Sequence, residues 1–105
     1  MKITTEYRHG RLTVWLNGEL DHHVAKDIIE TVCREIDQCL PLSCFIDMKG
    51  VGFMDSSGIA VILKIYKRMK ELGGTVIIRN LGKHARKVLD ISGINRLVNM
   101  EEVKA

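Results

Sequence analysis

The chain changes its period between Cys44 and Leu63, and that change limits the fold more than any other feature. Cys44, Phe45 and Ile46 begin a short apolar run bounded by charge and glycine, so residues 43–47 read as a buried central strand. The two glycines Gly50 and Gly52 read as a loop. Asp55-Ser56-Ser57-Gly58 then leads into residues 58–72. There Ile59, Ile62, Leu63, Tyr66, Met69 and Leu72 recur at three and four, the repeat of a helix with one buried face. A strand passing through one loop into an amphipathic helix is the repeating piece of an α/β domain.

The same grammar runs through the rest of the sequence. Residues 3–6 and 12–17 flank the turn-like Arg8-His9-Gly10, and Leu12, Val14 and Leu16 alternate with Thr13, Trp15 and Asn17, which predicts a hairpin. Trp15 falls on the otherwise polar face; the simplest expectation is that a helix or loop covers it, and a partner surface is the other. Residues 18–23 read as a loop in which Asp21 or a neighbour caps the next helix. Over residues 24–40 the apolar stripe Val24, Ala25, Ile28, Ile29, Val32, Cys33, Ile36, Cys39 and Leu40 predicts a helix, stopped by Pro41. A β-branched strand is expected at residues 75–79. A shorter helix at 83–92 is anchored by Ala85, Val88, Leu89 and Ile91 and ended by Gly93. A last strand is expected at 97–100, with residues 101–105 frayed or adding a helical turn. The order β-β-α-β-α-β-α-β predicts one α/β domain over residues 1–105, with a mixed, mostly parallel sheet of four to five strands and helices packed against it.

The totals narrow the function. A chain of 105 residues, 46% apolar and 28% charged, is long enough to bury a core without disulfides or metals. The net charge of +3 is mild, and the few aromatics are not interleaved with basic residues, so direct nucleic-acid binding is not expected. The longest apolar stretch, residues 59–63, is far short of the roughly 18 needed to cross a membrane. The N-terminus lacks the apolar core of a signal peptide. Cys33, Cys39 and Cys44 are odd in number, with no Cys-x-x-Cys pair, which predicts reduced thiols in a cytoplasmic protein.

Asp55-Ser56-Ser57-Gly58 is the foremost chemical candidate. Its simplest role is a helix cap followed by a glycine that permits close packing. The same residues suit a regulatory phosphorylation site at Ser56. A phosphate there adds about −1.5 to −2 charge. A helix N-terminus tolerates that charge through its dipole and free N–H groups, whereas a partner using the surface need not. Catalysis by Ser56 is not expected: no Gly-x-Ser-x-Gly elbow is present, and His84 reads as a solvated residue opening a helix. Glu19, Asp21, His22 and His23 lack metal-site spacing. No glycine pattern matches a phosphate-binding fingerprint. No metal and no cofactor are expected, and Lys64, Lys67, Arg68 and Lys70 read as a solvated helix face.

Gly18-Glu19-Leu20-Asp21 after the second strand, and Phe53-Met54-Asp55-Ser56-Ser57-Gly58 entering a helix, resemble the STAS domain. Within it they look like the anti-sigma factor antagonists, above all those of the sporulation anti-sigma-F type. Gly73-Gly74 and Ser92-Gly93-Ile94 fit the same pattern. The resemblance covers nearly the whole chain. It implies a non-enzymatic, cytoplasmic binding protein. The unmodified form binds an anti-sigma factor that is also a serine kinase and releases a sigma factor. Phosphorylation of Ser56 ends binding, and a serine phosphatase restores it. It further implies that Asp55 positions the serine, that Asp21 lies close to the same surface, and that Ser56, Ser57 and Gly58 contribute to partner binding. The alternative is a STAS ligand-sensing module holding a nucleotide or other small molecule near residues 18–23 and 50–56.

Overall fold

The chain begins as a hairpin whose turn is set by two residues of positive φ. Strand β1 (Lys2–Arg8) pairs antiparallel with β2 (Arg11–Leu20), and His9 (φ 48°) and Gly10 (φ 80°) form the two-residue connection. Positive φ at both central positions matches the right-handed twist of the flanking strands. In this computed structural model, which describes residues 1–101, there follow α1 (His22–Cys39), β3 (Ser43–Met54), α2 (Ser57–Glu71), β4 (Thr75–Arg79), α3 (Lys83–Ser92), a 3₁₀ turn (Ile94–Arg96) and β5 (Asn99–Glu101). Residues 102–105, part of the expected terminal turn, lie outside the described residues; Glu101 ends β5.

Spatial order equals chain order, β1-β2-β3-β4-β5, with β2 through β5 parallel. Each crossover moves one strand in the same direction. Because such crossovers are right-handed, all three helices lie on one face of the sheet. Leu12, Val14 and Leu16 of β2, Cys44, Ile46 and Met48 of β3, and Val76 and Ile78 of β4 point into that layer and are buried. Ile28, Val32 and Ile36 of α1 and Val61, Ile62, Ile65 and Met69 of α2 meet them. Full burial of each such side chain contributes roughly 1.5–3 kcal/mol. Arg68 ties α2 to α1: its Nε donates to Asp37 at 2.6 Å and its Nη1 to Glu71 at 2.9 Å.

Several expectations change. The strands β2 and β3 run further than their alternation implied, so Gly18 to Leu20 and Gly50 to Gly52 are strand, not loop. Trp15 pairs with Asp47 and Asn17 with Gly50, so three steps along β3 match two along β2; a second shift lies between Gly18 and Glu19. Each extra residue flips the facing of the residues after it. Met48, Val51 and Met54 therefore turn toward the helices at intervals of three, and the period of two is lost after Met48. At Gly50 a Cβ would be driven into the side chain of Asn17, so only glycine lets the strands approach there.

The buried face of α2 is rotated from the one expected. Val61 and Ile65 join the core, while Leu72 is exposed and Ile59, Leu63 and Tyr66 are half-buried. This helix is apolar around most of its first turns, and its neighbours on both sides select the face. Ile91 is 80% exposed and anchors nothing, and Leu40 lies outside the core. Leu40 ends α1 by adopting φ 48°, its N–H donating to Ile36 O at 2.8 Å, with Pro41 directly after it. Among the described residues no helix lies over Trp15, which is half-buried among neighbouring strand side chains on the sheet face away from the helices.

Candidate functional site

Two βα junctions meet at the carboxyl edge of the parallel strands. Leu20 pairs with Met54, and Asp55 N–H donates to Leu20 O at 3.2 Å. Asp21 and Asp55 thus leave adjacent strands side by side, each entering a helix. Their chemistry is alike. Asp21 is the N-cap of α1, and its Oδ1 accepts from His23 N–H at 2.9 Å. Asp55 Oδ1 accepts from Ser57 N–H at 2.7 Å, and Asp55 O from Gly58 N–H at 3.0 Å. In both, a carboxylate satisfies an N–H two residues on, a favoured way to open a helix. At Asp21 desolvation raises the pKa, but hydrogen bonds and charge from His23, with a hydrogen bond from the Val24 backbone, together outweigh it and hold the carboxyl below its usual value.

Ser56 stands at the N-cap position of α2 with helical backbone angles, φ −62° and ψ −17°, and its side chain makes no capping hydrogen bond. The capping expected of Asp or Ser in this tetrapeptide falls to Asp55. Ser56 is exposed and stands at the positive end of a 15-residue helix, whose first N–H groups are already paired: Ser57 with Asp55 Oδ1, Gly58 with Asp55 O and Ile59 with Ser56 O at 3.1 Å. Ser57 is half-buried in the first turn. Gly58 is buried against Met54, and a Cβ there would collide with the Met54 side chain. The close-packing role of this glycine is therefore real, and it draws α2 down onto the end of β3.

His84 is a neighbour that its position in the sequence did not reveal. It opens α3, as expected, but its Nε2 lies 3.1 Å from Met54 O and its ring stacks on Phe53 at 5.6 Å between centroids. It borders the Asp55 junction from the third side, and only the parallel sheet, which sets α3 beside the end of β3, brings it there. The stretch offered for ligand sensing, residues 18–23 and 50–56, is mainly strand and helix start. The concavity nearest it, about 150 Å³, is lined by Gly52, Phe53, Gly82 and His84. Among the described residues no three His, Cys, Asp or Glu side chains group as metal ligands, and no helix is long and apolar enough to cross a membrane. All three cysteines are free, and burial beside Cys33 pushes the Cys44 thiol up to about 12.

Comparison with known proteins agrees with this architecture. The STAS domain profile matches residues 2–105. The anti-sigma F factor antagonist of Paenibacillus polymyxa is 32% identical over 98 residues, covering 93% of this chain and 84% of that protein. The structure of the anti-sigma factor antagonist SpoIIAA in its unphosphorylated form matches with a TM-score of 0.85 at 26% identity, over 98% of this chain and 89% of that one. The Bacillus cell fate determinant SpoIIAA in the phosphorylated form matches with a TM-score of 0.77 at the same identity, over 98% and 92%. The chain belongs to the STAS domain family, in the group of the anti-sigma factor antagonists.

Proposed function

We propose that this protein is a cytoplasmic, phosphorylation-switched anti-sigma factor antagonist. In its unmodified form it binds an anti-sigma factor that is also a serine kinase, so that a sigma factor is released. Transfer of a phosphoryl group to Ser56 ends that binding, and a serine phosphatase acting on the phosphorylated form restores it. Asp21, Asp55, Ser56, Ser57 and Gly58 form the part of the partner surface around the switch.

The observation that carries this reading is the division of labour at the start of α2. Asp55 caps the helix, and the exposed Ser56 side chain makes no capping bond. A phosphate on Ser56 would stand in solvent at the positive end of the helix dipole, so the fold is expected to accept it. A kinase seated on the same surface would meet about −1.5 to −2 new charge at close range. The likeness to a relative whose structure is known in both forms supports the same reading.

Incubation with the cognate anti-sigma kinase and ATP, followed by intact mass and peptide mapping, tests it. The expected result is one phosphoryl group, on Ser56, with binding to the kinase lost in step. No gain from a kinase shown to be active on another antagonist overturns the proposal, as does modification confined to Ser57.

A further inference from the structure

Among the described residues every helix lies on one side and no element covers the other face of the sheet, yet that face is not uniformly polar. Glu6, Thr13 and Phe45 stand in one row across β1, β2 and β3; Trp15, Asp47 and Arg79 stand in the next across β2, β3 and β4. Between these rows and the hairpin turn lies an open concavity of about 390 Å³. This volume is in the range of small-molecule sites. Trp15 forms one wall, and Thr13, 8% exposed, forms part of the floor.

Cations dominate its rim. The Arg11 guanidinium lies 3.7 Å from the centroid of the Phe45 ring, and that of Arg79 lies 5.3 Å from the same ring. One aromatic surface therefore gathers two guanidiniums, attracting both without neutralising either. The Arg79 Nε is sealed from solvent and has no hydrogen-bond partner among the described residues. Buried donors of this kind are rare because each costs desolvation energy. Arg8 also lines the concavity, facing Glu6 at 3.9 Å, where both side chains are largely exposed. Three arginines against one glutamate leave two positive charges in excess. Asp47, cross-strand from Arg79, adds a carboxylate beside the concavity but does not line it; one of its oxygens accepts from Lys49 N–H and the other from Asn80 Nδ2.

We propose that this concavity binds a small organic anion: a flat ring bearing a carboxylate or a phosphate. The ring lies against Trp15, and the anionic group is shared between Arg11 and Arg79. Guanidinium forks match both anions in a bidentate manner. The site stands on the sheet face opposite α2, so neither kinase nor Ser56 enters its test.

Trp15 is the sole tryptophan, so its fluorescence reports directly on the concavity. The purified protein is titrated at constant ionic strength with benzoate and phenyl phosphate, and with acetate and inorganic phosphate as ringless counterparts. The expected result is a saturable emission change with Kd of about 1 mM or lower for at least one ringed anion, and binding about tenfold weaker for its ringless counterpart. Which ringed anion binds more tightly distinguishes carboxylate from phosphate ligands. Arg11→Gln and Arg79→Gln, each checked for native circular dichroism, are expected to weaken binding about tenfold. Arg79→Lys, which keeps the charge but loses the fork, should fall between wild type and Arg79→Gln. No saturable change up to about 10 mM, equal affinity with and without the ring, or an unchanged response in the folded Arg11→Gln/Arg79→Gln protein overturns the proposal.

Discussion

Asp21-His22-His23 and Asp55-Ser56-Ser57 are two versions of one junction, side by side at the same edge of the sheet. In each an aspartate follows the last strand residue, and its carboxylate takes the N–H two positions on, at 2.9 Å in the first and 2.7 Å in the second. The residue between is exposed in both, a histidine in one and a serine in the other. The difference is small in shape and large in chemistry. The capping role belongs to the aspartates, so the middle position is free of structural duty, and in the second junction that free position holds a hydroxyl. The junctions also differ underneath. α2 is drawn onto Met54 by Gly58, whereas α1 enters through the half-buried Val24 and Ala25.

The largest expected effect comes from this underside. Gly58→Val should lower stability by about 3 kcal/mol, read as a drop in the denaturant midpoint, because the added carbons must displace Met54. A midpoint equal to wild type would mean that α2 does not sit tightly on the end of β3. Next come the caps. Asp55→Ala and Asp21→Ala should each cost about 1 kcal/mol, and similar losses would establish the equivalence of the two junctions. Ser56→Ala should shift stability by less than about 0.5 kcal/mol. If instead Ser56→Ala cost as much as Asp55→Ala, the division of labour at α2 would be refuted.

The smallest effect is a pH dependence at the first junction. The Asp21 carboxyl is held below its ordinary value of 3.8 in the folded protein. Its charge therefore adds stability that is fully present above that value and is lost as pH falls through the lower folded value. In Asp21→Asn, which keeps an acceptor but not the charge, acid unfolding curves should lose that increment and otherwise follow wild type.

Much of this was legible in the sequence, for reasons that can be named. β4 and α3 span the residues their periods implied, since a β-branched run after Gly73-Gly74 and an amphipathic turn ended by Gly93 have few other solutions. That a cap stands at each junction was legible because capping is local chemistry; which residue supplies it, Asp21 among its neighbours and Asp55 rather than a serine, was not. What escaped depends on contacts between distant residues. The continuation of β3 through Gly50 and Gly52 was hidden because the extra residues break the alternation, and the need for glycine at 50 arises from Asn17 on another strand. The facing of α2 was ambiguous because Val61 and Ile65 are as apolar as the residues beside them. His84 reaches Met54, 30 positions earlier, through the order of the sheet alone.

That order has a consequence for how the protein comes into being. Because β1 to β5 lie in the sequence in which they are translated, each strand emerges to find its neighbour already made. No strand waits for a partner from the far end of the chain, and the loop-closure entropy of each step stays small. A nascent chain on the ribosome can therefore add one βα unit at a time onto the hairpin. The Asp21 and Asp55 junctions are complete in outline once α2 has left the exit tunnel, before His84 arrives to border them.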